Sequence, residues 1–273
     1  VAHPKPGTTV MTAASLETDI KKLYILLCGY EILPKPVSVS GADPRFMLCE
    51  PVCVYLLDTR HGWVLLDAGL DPEHIENAAK REQYFLSYGM TPPIVHPIHR
   101  LEHQLAQIGL TPRDISWIIL SHLHFDHCGS IKHFPHARIS IQRQEYLSAL
   151  TSSCCGYIRE DFTQDSILWD FKDGDWQAFP GLELITTFGH TAGHQSAIVR
   201  LPHTGPMILS FDAGDLRENF IEELIPGSTT SADDALQSIR RIKALQHDLK
   251  AQLVLFHDPQ DIQHLKLLPQ YYD

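Results

Sequence analysis

Three of the chain's 17 histidines lie within six residues, in the string His122-Leu-His124-Phe-Asp126-His127. Neutral imidazole and carboxylate groups are the ligands that borderline divalent metals prefer, and zinc is the usual metal for such nitrogen and oxygen donors. Alternate side chains of an extended segment face the same way, so a loop of this sequence can direct all four groups into one cleft. The string therefore predicts a metal site.

Four donors in one loop are too many for a single metal ion, so we expect further ligands from other parts of the chain. Polar residues at the ends of predicted buried strands are suitable, because sheet edges are where α/β proteins expose functional groups. These residues are His190 and His194 in the string Gly-His-Thr-Ala-Gly-His, Asp212 after an apolar run at 208–211, and His257 after an apolar run at 253–256.

Together these strings resemble those of the metallo-β-lactamase superfamily. Four local strings are similar to the N-acyl homoserine lactonase family within it: Ser-His-Leu-His-Phe-Asp-His-Cys-Gly, Gly-His-Thr-Ala-Gly-His-Gln-Ser, Ser-Phe-Asp-Ala and Phe-His-Asp. The resemblance extends from Asp67, in Leu-Leu-Asp-Ala-Gly, to Asp258, and so covers most of the chain.

The resemblance implies an α/β fold, an αβ/βα sandwich of two mixed β-sheets flanked by helices, with two Zn²⁺ ions at the sheet edge. Co, Mn or Fe could replace zinc. Asp126 and Asp212 are the implied catalytic residues. The other implied roles are His122, His124 and His194 on the first metal, Asp126, His127 and His257 on the second, Asp212 bridging both, and His190 and Asp67 supporting the ligands.

The implied activity is hydrolysis of the lactone ring of N-acyl homoserine lactones, which silences bacterial quorum-sensing signals. Two metals roughly 3.5–4 Å apart can share a water whose pKa zinc lowers to about 7, and the resulting bridging hydroxide attacks the carbonyl. The same centre could instead act on another small lactone, lactam or ester, or on a thioester as in glyoxalase II. A small-molecule lactone is thus the expected partner.

Asp215 departs from the family pattern, because many of these lactonases carry a tyrosine three residues after the bridging aspartate. A carboxylate donates no hydrogen bond unless it is protonated, so either another group supplies the donor or the substrate differs. A simpler interpretation is that Asp215 caps the following helix. The other candidate substrate contacts are Phe125, between two predicted ligands, and Tyr30 and Met47.

Hydrophobic periodicity predicts the elements that position these residues. We expect one domain, residues 1–273, whose first 20 residues form an extended arm. The predicted strands are 22–28, 53–58, 62–67, 115–120, 137–141, 182–187, 195–201, 207–211 and 252–256. The predicted helices are 73–88, 98–108, 144–150 and 232–249, with an irregular segment at 151–175.

Composition narrows the function classes. The net charge of −11 disfavours a nucleic-acid-binding protein, and no apolar run approaches the roughly 18 residues of a membrane-spanning helix. The six cysteines form no CxxC pair, so we interpret them as free thiols in a reducing compartment. This favours the cytoplasm and leaves processing or export open. A homodimer is a further expectation from the family.

Overall fold

The computed structural model describes residues 17–273 of the chain. Eleven strands of these residues form two sheets. The strands are β1 Ile20–Pro34, β2 Met47–Thr59, β3 Gly62–Leu66, β4 Ile115–Ile119, β5 Arg138–Gln142, β6 Leu168–Lys172, β7 Trp176–Phe179, β8 Leu182–Thr186, β9 Gln195–Leu201, β10 Gly205–Leu209 and β11 Gln252–Val254.

Both sheets are mixed. The first has the order β1-β2-β3-β4-β5-β6, antiparallel from β1 to β3 and parallel from β3 to β6. The second has the order β11-β10-β9-β8-β7, and only its β10-β11 pair is parallel. This is the two-sheet architecture predicted from the resemblance.

Helices cover the outer faces of the sheets. They are α1 Pro72–Glu76, α2 Ala78–Tyr84, α3 Leu101–Ala106, α4 Phe125–Cys128, α5 Arg143–Thr151, α6 Arg159–Phe162, α7 Arg217–Glu222 and α8 Ala232–Leu249. Among the described residues, no helix combines the length and apolar character needed to cross a membrane.

Strand alternation explains the layers, because successive side chains point to opposite faces of a sheet. In β10, Met207 and Leu209 belong to the core between the two sheets. Ile208 lies on the other face and packs with Ile239 and Ile242 of α8. The sandwich therefore holds its two sheets between two layers of helices.

Local predictions differ from the structure in several places. Strand β2 begins six residues before its predicted start, and β7 was not predicted. Predicted helix 73–88 is divided into α1 and α2 at Asn77, whose side-chain oxygen accepts hydrogen bonds from the Ala79 and Lys80 amides. The segment 151–175, predicted as irregular, contains α6 and β6. Strand β1 continues six residues beyond its predicted end.

The predicted arm falls mostly outside the described residues, since residues 1–16 are not among them. Ile20, its last residue, is already the first residue of β1. The prediction of a single domain over residues 1–273 stays a prediction.

The C-terminal segment 264–273 returns to the outer edge of the first sheet. Leu23 of β1 exchanges backbone hydrogen bonds with Tyr272, and the Leu268 amide donates to the carbonyl of Ile25. Strand β1 is the edge strand of its sheet. The last residues of the chain thus cover part of this edge.

Candidate metal centre

The predicted ligands meet at one edge of the sandwich, because they follow the ends of neighbouring strands. The His122–His127 segment follows β4, and Asp212 follows β10. His190 lies in the connection between β8 and β9, and His257 follows β11. All of these side chains are buried.

The first cluster consists of His122, His124, His190 and Asp212. His190 Nε2 lies 3.0 Å from His124 Nδ1 and 3.3 Å from Asp212 Oδ2. His122 Nε2 lies 3.7 Å from the same Asp212 oxygen. Two atoms bound to zinc at about 2.05 Å in tetrahedral geometry lie roughly 3.3 Å apart, so this spacing suits a single ion.

The second cluster consists of Asp126, His127, Asp212 and His257. His127 Nε2 lies 2.9 Å from Asp126 Oδ2 and 3.1 Å from Asp212 Oδ1. His257 Nε2 lies 3.4 Å and 3.5 Å from these two oxygens, respectively. These distances also suit one ion.

Asp212 belongs to both clusters and directs one oxygen to each. Its Oδ2 faces the first cluster and its Oδ1 the second. Its Oδ1 atom, His122 Nε2 and His127 Nε2 are buried without a hydrogen-bond partner among the described residues. Orphaned buried polar atoms are costly, and a pair of cations would satisfy all three.

For three of these histidines, a hydrogen bond from the second ring nitrogen fixes the orientation of the ring. His127 Nδ1 donates to Asp67 Oδ2 at 2.7 Å, His190 Nδ1 to the carbonyl of Ser228 at 2.8 Å, and His257 Nδ1 to the carbonyl of Pro51 at 3.0 Å. A proton on Nδ1 leaves the lone pair on Nε2, which is the atom that faces each cluster.

The electrostatics of the two clusters differ. Burial lowers the pKa of His190 to about 4, which keeps this ring neutral at pH 7. Burial also disfavours the charged form of His127, but Asp126, Asp212 and Asp67 outweigh it and raise the pKa of His127 well above its ordinary value. The pKa of Asp212 is held well below its ordinary value by surrounding histidines, despite burial.

The structure places His190 and His194 differently from the prediction, which had His194 as a ligand and His190 as a supporting residue. His190 lies in the first cluster, whereas His194 lies in neither. Both nitrogens of His194 are already engaged: Nδ1 lies 3.0 Å from the carbonyl of Thr187, and Nε2 accepts a hydrogen bond from the Asp212 amide at 3.1 Å. His194 thus contacts the backbone of Asp212, and His190 is the histidine of this string that lies within the first cluster.

Glu145, a residue that the sequence analysis missed, ties the two ligand loops together. Its Oε1 accepts hydrogen bonds from the Leu123 amide at 3.1 Å and the Tyr157 hydroxyl at 3.0 Å, and its Oε2 accepts from the Gly193 amide at 3.0 Å. Glu145 is fully buried in the first turn of α5, so only the tertiary structure reveals this role.

A third buried group, Asp71, His74 and Asp161, lies outside the two clusters. His74 Nε2 donates to Asp161 Oδ1 at 2.7 Å and thereby joins α1 to α6. Lys132 forms an ion pair with Asp71. We interpret this group as a structural clamp between helices, because a lysine already occupies the acidic side.

Comparison with known proteins agrees with this geometry. Residues 48–250 match the profile of the Metallo-beta-lactamase superfamily. This chain belongs to that superfamily. Within it, an N-acyl homoserine lactonase from a Bacillus species is 33% identical over 92% of this chain and 99% of that protein. The N-acyl homoserine lactonase AttM of Azorhizobium caulinodans is 33% identical over 94% of this chain and 100% of that protein.

A solved lactonase structure is similar over nearly the same length. It is an N-acyl homoserine lactone hydrolase with the product N-hexanoyl-L-homoserine bound at the catalytic metal centre, with a TM-score of 0.86 and 31% identity. The match covers 93% of this chain and 100% of that one. The chain is therefore a member of the N-acyl homoserine lactonase family of metallo-β-lactamase-fold hydrolases.

In this lactonase-family member, a cavity of about 700 Å³ opens onto both clusters. Three predicted substrate contacts, Phe125, Met47 and Asp215, line it. Tyr30 is not among the lining residues; its ring packs against His99, with 5.5 Å between the ring centroids. The Tyr30 ring therefore contacts His99 rather than the cavity, and its role as a substrate contact stays a prediction.

The lactonase cavity also contains lining residues that the sequence analysis missed. Glu31, Glu50, Cys154 and Cys155 are among them. A hydrogen bond with Cys155, aided by another with His124, lowers the pKa of Cys154 to about 3. All six cysteines lie in the described part of the chain and are free thiols, as predicted.

Proposed function

We propose that this protein is a dinuclear-zinc hydrolase that opens the lactone ring of N-acyl homoserine lactones. The observation that carries the proposal is the position of Asp212, whose two oxygens each face a separate cluster of ligand nitrogens. The family relationship supports the substrate class, because two relatives 33% identical to this chain are named N-acyl homoserine lactonases.

The proposed ligands follow from the two clusters. His122, His124 and His190 hold one ion, Asp126, His127 and His257 hold the other, and Asp212 bridges them. Bound zinc would supply hydroxide at neutral pH and polarise the lactone carbonyl. Imidazole and carboxylate donors suit zinc, and the same set also accepts other divalent metals.

The chain's own residues prepare this chemistry. Asp67 orients His127, and His194 holds the backbone amide of Asp212. Phe125 is buried in the cavity wall, where its ring packs against Phe85 with 5.3 Å between centroids. These contacts fix the ligands before substrate arrives, which reduces the cost of ordering them during the reaction.

The cavity wall offers an apolar region for an acyl chain. Its apolar lining residues include Ile32, Leu33, Met47, Tyr88 and Met90. Two of them, Met47 and Tyr88, are exposed over 53% and 60% of their surface. An acyl chain that covers them would remove apolar surface from water, which favours binding.

The test combines elemental analysis with hydrolysis assays. We expect two zinc ions per chain and a preference for short- and long-chain N-acyl homoserine lactones over a plain γ-lactone and phenyl acetate. His124→Ala and Asp126→Ala should lose metal and hydrolysis together while retaining the fold. His136→Ala, at an exposed position, is the matched control. Full metal content and activity in either ligand variant would refute the proposal.

A further inference from the structure

Three buried carboxyl groups line the cavity beside the two clusters and belong to neither. Glu31 is 6% exposed, Glu50 is 1% exposed and Asp215 is 5% exposed. They share the cavity with Asp126 and Asp212. Of the described residues that line it, none is lysine or arginine.

Glu31 and Glu50 are an unusual pair for a sheet. They are directly opposite each other in the antiparallel pairing of β1 with β2. Like charges in such positions destabilise a sheet, and a buried charge is costly unless it is paired. The Ser38 hydroxyl donates to Glu50 Oε1 at 2.5 Å, and His257 Nδ1 lies 4.0 Å from Glu50 Oε2. These two contacts offset only a small part of the free-energy cost of burying two carboxylates.

Asp215 is the independent observation that points to a ligand. Its Oδ1 is buried and has no hydrogen-bond partner among residues 17–273, and its side chain lines the cavity. The alternative, that Asp215 caps α7, fails: the residue before α7 is Leu216, and the side chain that accepts from the Leu216 amide is that of Asn219. The Asp215 carboxylate is therefore available to bind a molecule in the cavity.

The formal charges of the groups around the cavity indicate whether a bound molecule should be positive or negative. Burial raises the pKa of Glu31, Glu50 and Asp215, so their charged forms are costly unless cations lie beside them. Two divalent ions would contribute +4, Asp126 and Asp212 contribute −2, and the three acids contribute −3 when ionised, which leaves −1 before any bound water ionises. A protonated amine would offset this excess and supply up to three hydrogen-bond donors. The amide group of an N-acyl homoserine lactone is neutral and supplies only one hydrogen-bond donor.

We propose that Glu31, Glu50 and Asp215 form a subsite for a protonated amine, so that the protein also hydrolyses small lactones that carry a free ammonium group beside the carbonyl. Unacylated homoserine lactone is the simplest member of this class. The inference rests on the proposed function, since it uses the same metal-dependent ring opening. Water adds to the carbonyl carbon, the ring C–O bond breaks, the ring oxygen takes the proton, and the ammonium group is unchanged.

The test compares homoserine lactone with γ-butyrolactone, which has the same ring without the amine. The α-ammonium group itself activates the lactone carbonyl, so each kcat/KM is divided by the rate of uncatalysed hydrolysis of the same lactone. At pH 6.5, below the usual α-amino pKa of about 7.7–8.0, we expect the zinc-loaded protein to favour homoserine lactone at least about tenfold in this ratio, as a charge-assisted hydrogen bond allows. Homoserine should likewise inhibit more strongly than 4-hydroxybutyrate, which provides a binding readout.

Asp215→Asn and Glu31→Gln, both close in shape to the native residues, should each lower this selectivity ratio by about tenfold. Glu222→Gln, at an exposed position outside the cavity, should leave the ratio unchanged. Thermal unfolding shows whether each variant is folded, and using two variants guards against the failure of one.

The outcomes separate the two proposals. Hydrolysis of N-acyl homoserine lactones, with no preference for the amine in either catalysis or inhibition, would overturn the subsite and leave the proposed function intact. A preference that persists in both variants would also overturn the subsite. Failure to hydrolyse any lactone, acylated or not, would overturn the proposed function itself.

Discussion

His190 Nε2 lies 3.0 Å from His124 Nδ1, although the two residues are 66 positions apart in the chain. The His190 ring is fixed by the bond from its Nδ1 to the Ser228 carbonyl, so its second nitrogen has only the cluster to face. Two loops thus present imidazole lone pairs to one point, and the choice between His190 and His194 becomes testable.

We expect His190→Ala to lose about one of two zinc ions per chain and to lower kcat/KM by at least about a hundredfold, because a ligand of the first cluster is removed. His194→Ala should retain both ions at saturating zinc and lose activity by about 10–100-fold, as expected for a residue that orients a ligand. Elemental analysis after dialysis measures the difference. Equal zinc loss in the two variants would contradict the assignment.

Asp67→Asn should lower zinc affinity by about 10–100-fold. Asp67 accepts hydrogen bonds from the Ser121 amide and hydroxyl as well as from His127. An asparagine has one acceptor oxygen, so its amide group would face one of these donors. Competition with a chelator measures the affinity. Asp165→Asn, at an exposed position, should behave like the unmodified protein, and unchanged affinity in Asp67→Asn would refute the positioning role.

Glu145→Gln should lower the free energy of unfolding by about 1–3 kcal/mol, because a buried donor loses its acceptor. Denaturant unfolding measures this, with Glu82→Gln at an exposed position as the control. Gly193→Ala tests the same contact from the other side. A Cβ atom at Gly193 would lie 2.3 Å from the Glu145 backbone nitrogen, so the two loops would have to separate. If both variants unfold with the same free energy as the unmodified protein, Glu145 does not stabilise the contact between the two loops.

Asp161 should give a stability difference that depends on pH. Burial raises its pKa to about 6 from 3.8, with part of the rise offset by the bond from His74. The folded protein therefore binds this proton more tightly than the unfolded chain. The contribution of Asp161 to stability is complete below about pH 4 and is lost as the pH rises through about 6.

Asp161→Asn removes this titration and keeps an acceptor for His74. The free energy of unfolding of the metal-free native protein, minus that of the variant, should fall by up to about 3 kcal/mol between pH 4 and 6.5. Denaturant unfolding across this range measures the difference. A constant difference, or one that increases with pH, would show that the sign is wrong.

The sequence predicted those residues of the two clusters that lie in one short string or directly follow an apolar strand. His122, His124, Asp126 and His127 occupy one short string, and a buried strand before them is enough to place them together. Asp212 and His257 were predictable because each follows an apolar strand. These six residues lie in the two clusters of the structure.

Other features depend on tertiary contacts that no local pattern contains. The Gly-His-Thr-Ala-Gly-His string offers two histidines in similar settings, and the partners that distinguish them, Ser228 and Thr187, lie outside it. Glu50 was missed because an acid in an apolar strand is usually at the surface. Strand β6 was missed because its pairing with β5 depends on a parallel neighbour that is distant in sequence.

The return of residues 264–273 to strand β1 has a consequence for solubility. An uncovered edge strand offers unpaired amide and carbonyl groups to the sheets of other molecules, which is a route to aggregation. The hydrogen bonds from Leu268 to Ile25 and between Leu23 and Tyr272 occupy some of these groups. Residues 264–273 therefore protect part of β1 from pairing with a strand of another molecule, a role that is separate from the chemistry of the two clusters.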